Sequence, residues 1–122
     1  MIGIGTDLVD VDRLRRVLVR TPGFADRVFT PAERAYAGQA ADGAPRLAAR
    51  FAAKEAALKC LGLGLGGMPL VDIEVVRNHD TGQPTLRLHG RAAEVAAAHG
   101  VQQWRLSLTH TDTVAQAMAV AL

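Results

Sequence analysis

The stretch Pro45-Arg46-Leu47-Ala48-Ala49-Arg50-Phe51-Ala52-Ala53-Lys54-Glu55-Ala56-Ala57-Leu58-Lys59-Cys60-Leu61 decides the reading of the rest. Proline suits the first turn of a helix, and nothing up to Gly62 interrupts one. Leu47, Phe51, Leu58 and Leu61 form an apolar stripe. Beside it Arg46, Arg50 and Lys54 recur at i, i+4 and share a face. The spacing predicts one long helix, stopped by Gly62, Gly64, Gly66 and Gly67.

Working outward toward the N-terminus, Thr30-Pro31-Ala32-Glu33 predicts a second helix start, with Thr30 as cap and Glu33 closing a capping box. Val11, Leu14, Val17 and Leu18 recur at helical spacing until Thr21-Pro22-Gly23. Met1 to Val9 reads as a strand, in which Gly3 and Gly5 signal close approach by another backbone or a ligand. Toward the C-terminus, Val71 to Arg77 and Thr85 to Leu88 read as a hairpin about Asp80-Thr81-Gly82-Gln83. Arg91 to His99 reads as a helix, Trp104 to Thr109 as a half-buried strand, and Val114 to Leu122 as a last strand with one all-alanine face. The sum is an α+β fold, one compact domain over 1-122, with a mostly antiparallel sheet packed against the long helix.

A chain of 122 residues that is 49% hydrophobic and 21% charged is not disordered. No apolar run approaches the roughly 20 residues of a membrane helix, and Met1 to Asp7 lacks the basic start of a signal peptide. Cys60 is the only cysteine, so neither a disulfide framework nor a zinc cluster is expected, and a reducing, cytoplasmic setting follows. Arg13, Arg15, Arg16, Arg20 and Arg27 make a basic edge. Aromatics are only 4%, which disfavours nucleic acid and leaves an acidic protein partner or a solvated face.

Asp7 ends a glycine-containing strand, where a carboxylate can hold Mg²⁺ beside substrate phosphates or simply lie in a turn. Glu55 is the one acid between Asp42 and Asp72. It can pair with Lys59, or act as a metal ligand beside the phosphate-neutralising cations Arg50, Lys54 and Lys59, an arrangement that suits a diphosphate bridged by Mg²⁺. The Gly62 to Gly67 loop is not a P-loop, because it follows a helix and lacks the Gly-Lys-Ser/Thr ending. His110 stands at a strand end, placed to reach a site or to sit in a turn.

Four segments together resemble the holo-[acyl-carrier-protein] synthase class of 4′-phosphopantetheinyl transferases: Gly3-Ile4-Gly5-Thr6-Asp7-Leu8-Val9, Arg50-Phe51-Ala52-Ala53-Lys54-Glu55-Ala56, Gly82-Gln83-Pro84 and Ser107-Leu108-Thr109-His110. The resemblance covers essentially the whole chain. It implies transfer of the 4′-phosphopantetheine arm of coenzyme A to a serine of apo-acyl carrier protein, releasing adenosine 3′,5′-bisphosphate. It implies Mg²⁺ held by Asp7 and Glu55, and coenzyme A contacts from Arg50, Lys54, Lys59, Gly62, Gly64, Pro84, Ser107 and His110. It also implies carrier binding through Arg13, Arg20 and Arg27, and a homotrimer with sites between subunits. The serine proton has three candidate acceptors: a metal-bound hydroxide, Glu55 and His110. Two departures bear on nucleotide contacts. Leu61-Gly62-Leu63-Gly64-Leu65 replaces an aromatic-Gly-Thr-Gly pattern, and Gln83 stands where a base is frequent. The rival readings are a metal-dependent hydrolase of coenzyme A or a nucleotide diphosphate, and a non-catalytic module that binds an acidic protein.

Overall fold

The computed structural model describes residues 1–64 and 66–122. In chain order it has β1 (Gly3–Asp10), α1 (Val11–Arg20), α2 (Phe24–Val28), α3 (Pro31–Gly38), α4 (Ala44–Cys60), a 3₁₀ turn (Leu70–Asp72), β2 (Ile73–Arg77), β3 (Pro84–Leu88), α5 (Gly90–Ala98), β4 (Trp104–His110) and β5 (Val114–Ala121). The fold is α+β. One antiparallel sheet has the order β1-β5-β4, and β2-β3 form the antiparallel hairpin.

Strand β5 is the centre. Ala115, Ala117, Ala119 and Ala121 are fully buried on the face that meets α4, and small side chains let the helix backbone lie close to the sheet. The glycines of β1 serve the same approach. A Cβ at Gly3 would overlap the carbonyl oxygen of Cys60, and one at Gly5 that of Ala56, so the close neighbour is the α4 backbone. Helix α4 is consequently covered on most sides. Its interior consists of Ala48, Ala49, Ala52, Ala53, Ala56, Ala57 and Leu58, whereas the expected stripe residues Leu47 and Phe51 are only half-buried. Leu58 and Leu61 of that stripe are buried as expected, and the alanine faces of β5 and α4 fill most of the remaining contact.

Asp10 caps α1, its side chain accepting from the Arg13 N–H at 2.8 Å. The capping box of α3 forms as expected, with Thr30 Oγ1 accepting from Glu33 N and Glu33 Oε1 accepting from Thr30 N. Helix α2 was not foreseen, being a single short turn of five residues between Gly23 and Phe29. The opposite face of the three-stranded sheet carries Ile4, Leu8 and Met118, which are 55%, 66% and 45% exposed. Among the described residues no helix is long and apolar enough to cross a membrane.

Candidate active site

Two clefts flank α4, and they share no lining residue. The first, of about 570 Å³, brings Asp7 from β1 and Glu55 from α4 together, with Arg13 and Leu14 of α1, Phe24 and Phe51 around them. Lys59 Nζ closes its rim, donating to the Thr6 carbonyl at 2.8 Å and to Asp7 Oδ1 at 3.3 Å. Burial pushes the Glu55 carboxyl above its ordinary pKa, the Asp7 charge adds to the rise, and Lys59 opposes it. A cation between the two carboxylates would relieve that repulsion. Asp10 lines the same cleft but caps α1, and among the described residues no group of three Asp, Glu, His or Cys is placed to hold a metal ion; a pair of hard oxygen donors with room for water and phosphate fits Mg²⁺ rather than zinc.

The second cleft, of about 290 Å³, gathers Arg50, Pro84 and His110 with Arg46, Tyr36 and Arg77. Arg50 is 5% exposed, and its Nε is buried without a hydrogen-bond partner. His110 is exposed, its Nδ1 3.3 Å from the Thr111 carbonyl oxygen. Arg50 and Glu55 are five residues apart, about 140° around a helix that turns 100° per residue, so the two clefts open on different flanks. Within one chain, His110 therefore does not meet Asp7 and Glu55.

Lys54 requires a correction. The expected ligand-facing cation is fully buried, and its ammonium donates to Glu33 Oε1 at 2.9 Å, to the Leu70 carbonyl at 3.1 Å and to the Ile73 carbonyl at 2.6 Å. All three donors are used, so Lys54 ties α4 to α3 and β2 and presents nothing to a ligand. Glu33, read from sequence only as a capping residue, also accepts from Val75 N at 2.9 Å through its second oxygen. The network continues outward: Thr30 Oγ1 donates to Glu74 Oε2, and Glu74 Oε1 lies 2.9 Å from His89 Nε2.

The remaining residues are dispersed. Ser107 pairs with Met118 on the open face of the sheet and lines a groove of about 660 Å³ that adjoins the second cleft at Pro84 and Leu108. Gly62 and Gly64 are exposed beyond the end of α4. Gly62 takes a left-handed conformation (φ 69°) that reverses the chain, with Leu63 N donating back to the Leu58 carbonyl. Leu65 of the same loop lies outside the described residues. Arg13, Arg16 and Arg20 are exposed on α1 and Arg27 on α2. Arg15 leaves the basic edge, because Asp42 holds it at 2.8 Å and Asp12 at 3.6 Å.

The family model described as the 4′-phosphopantetheinyl transferase superfamily matches residues 3–119. A holo-[acyl-carrier-protein] synthase of Frankia casuarinae is 50% identical over 121 residues, covering 99% of this chain and 97% of the relative. An acyl carrier protein synthase of Plasmodium yoelii with ADP bound superposes with a TM-score of 0.88 at 35% identity, over 99% of this chain and 94% of that one. The Helicobacter pylori holo-[acyl-carrier-protein] synthase in complex with coenzyme A gives a TM-score of 0.83 at 26% identity, over 98% and 99%.

Proposed function

The chain belongs to the 4′-phosphopantetheinyl transferase superfamily, and on that premise we propose that it is a cytoplasmic holo-[acyl-carrier-protein] synthase, a single domain over residues 1–122. It transfers the phosphopantetheine arm of coenzyme A to a serine of an apo-acyl carrier protein. The observation that carries this reading is the pairing of Asp7 with Glu55 in one cleft whose wall is the arginine-bearing helix α1. A diphosphate and an acidic protein can thus meet at one place.

The serine Oγ forms a bond to the phosphorus that bears the pantetheine arm. The bond from that phosphorus to the bridging oxygen breaks, its electron pair leaves with adenosine 3′,5′-bisphosphate, and the serine proton passes to a base. Asp7 and Glu55 would hold Mg²⁺, which neutralises charge on the diphosphate when bound. Lys59 stands beside Asp7, placed to add positive charge as the leaving group develops its own. Phe24, Phe51 and Leu14 form the apolar wall that keeps water from competing with the serine. Arg13, Arg20 and Arg27 receive the acidic carrier. Arg50, Pro84 and His110 hold the nucleotide end, with Ser107, Gly62 and Gly64 as further contacts.

Because the Arg50 cleft and the Asp7–Glu55 cleft lie on different flanks of α4, one substrate engages both only if a second copy completes the site. The exposed Ile4, Leu8 and Met118 offer the apolar face for such an assembly, a homotrimer in this reading. Incubation with coenzyme A, Mg²⁺ and a panel of apo-carriers, followed by intact mass, tests the function. A gain of one phosphopantetheine on a carrier is the expected result. Coenzyme A cleavage with every carrier unmodified would instead establish the hydrolase.

A further inference from the structure

Helix α1 is charged differently on two sides. At about 100° per residue, Arg13, Arg16 and Arg20 fall within about 60° of one another, and Asp12, Arg15 and Val19 form a second strip about 100° further round. The first strip borders the Asp7–Glu55 cleft, which Arg13, Leu14 and Val17 line, and the second takes no part in lining it. Among the described residues none of Arg13, Arg16 and Arg20 pairs with a carboxylate. Arg15 is flanked twice: its Nη1 donates to Asp42 Oδ1 at 2.8 Å, and its Nε lies 3.6 Å from Asp12 Oδ1. One cation against two carboxylates leaves the second strip net negative, beside three uncompensated cations on the first. Asp42 is fixed in that place, because the same Oδ1 accepts from Ala44 N at 3.1 Å at the start of α4. The Arg15 guanidinium and the Ala44 N–H hold its carboxyl below the ordinary range, so the charge persists at neutral pH. Val19, 80% exposed on this second strip, would by itself invite an apolar contact there.

We propose that Asp12 and Asp42 determine how an acidic carrier seats on α1: by cancelling Arg15 they leave the helix attractive only along the strip that borders the cleft, and they turn the carrier away from the far strip. Discrimination between two ways of docking is a difference of affinities, and a repulsive element on the wrong side sharpens it as much as an attractive one on the right side. Each exposed charge pair is worth little alone, but two carboxylates and one arginine act together on the same approaching helix. A carrier seated on the far strip would hold its serine away from Asp7 and Glu55, so that complex would be a dead end. The inference rests on the proposed function in that the occupant is the apo-acyl carrier protein.

Asp12→Asn combined with Asp42→Asn frees Arg15 while keeping an acceptor for the Ala44 N–H, and it turns the far strip net positive. At about 0.15 M salt, kcat and the carrier KM should fall together by about threefold with kcat/KM kept, because a dead-end complex ties up enzyme only at saturation. The KM for coenzyme A should stay as in wild type. Adding Arg15→Gln should restore both constants, and at about 0.5 M salt the difference should vanish. A second readout does not depend on transfer. Cys60 is buried, so an environment-sensitive fluorophore can be placed selectively on Val19→Cys, in the far strip. Apo-acyl carrier protein should change its emission in the Asp12→Asn, Asp42→Asn background and not in the wild-type one. Unchanged kcat and KM in the double variant, a lower KM with kcat kept, or the same probe response in both backgrounds would overturn the proposal. If no carrier is modified while the probe still answers only in the double variant, the charge asymmetry stands and the transferase reading falls.

Discussion

Lys54 offers the sharpest separation between a ligand-binding cation and a structural one, and both roles are chemically open to the same side chain. Lys54→Met keeps the aliphatic stem and removes the ammonium. Three acceptors then lose a donor: Glu33 Oε1 and the carbonyls of Leu70 and Ile73. Glu33 retains two backbone donors, Thr30 N and Val75 N, but its charge is left buried at 1% exposure without a counter-ion. Breaking one side of a buried pair costs about 3–5 kcal/mol. For a chain of this size that corresponds to a fall in Tm of roughly 10–25 °C. Glu33→Gln combined with Lys54→Met should lose less than the sum of the two single variants, because no orphan charge remains. Thermal and urea unfolding at one fixed protein concentration measure this, since assembly would otherwise shift the apparent stability. Below the transition, Lys54→Met should keep a wild-type KM for coenzyme A. A loss under about 1 kcal/mol, or a folded variant with a tenfold higher KM, would refute the structural role, because the buried-pair cost would be missing.

Asp7→Asn and Glu55→Gln should each lower turnover at saturating carrier by at least a hundredfold, about 2.7 kcal/mol of barrier, in intact-mass time courses with Mg²⁺. Glu55 also sets a pH dependence. Its folded pKa lies above its ordinary value of 4.5, so in chelator the folded state keeps a proton that the unfolded chain has lost. Stability should therefore fall as pH rises from 4.5 through the raised pKa, and Glu55→Gln, followed by urea unfolding across pH, should abolish that fall. Arg13→Glu with Arg20→Glu should raise the carrier KM tenfold or more and leave the KM for coenzyme A unchanged; wild-type carrier binding should weaken between about 50 and 500 mM salt. Gly5→Ala should destabilise by at least about 2 kcal/mol in urea unfolding, because the added methyl meets the Ala56 carbonyl rather than a side chain that could turn away.

Features that depend on near neighbours were legible in the sequence. The Thr30–Glu33 box and the alternating alanines of β5 each follow from spacing within a few residues, and each is present. Gly3 and Gly5 announced a close approach, although not by what. Legibility stopped where one residue type serves opposite ends. Lys54 and Arg50 lie one helical turn apart on one edge of α4, yet the first is saturated by three acceptors and the second keeps a buried N–H free. Only the positions of α3 and β2, distant in sequence, distinguish them. Tyr36 left even less trace. It is a single aromatic among alanines, and its ring is met by arginines that approach from α4 and the hairpin.

The alanine packing also has a consequence for catalysis. A helix whose small side chains seat it deeply on a sheet has only its flanks left to carry chemistry. On α4 one flank presents Glu55 toward Asp7, and the other presents Arg46 and Arg50 toward the hairpin. In the proposed reading a metal-bridged diphosphate would take the acidic flank and the nucleotide end the basic one, and the helix keeps the two apart. That separation prevents Glu55 from neutralising the arginines, which would cancel both functions at once. It equally prevents one chain from holding both ends of a long substrate around the helix. Leu8 of the exposed apolar face also lines the Asp7–Glu55 cleft, so a copy packed on that face would border the cleft. The proposed sharing of a site between copies would thus owe as much to the alanines at the helix–sheet contact as to the charged residues themselves.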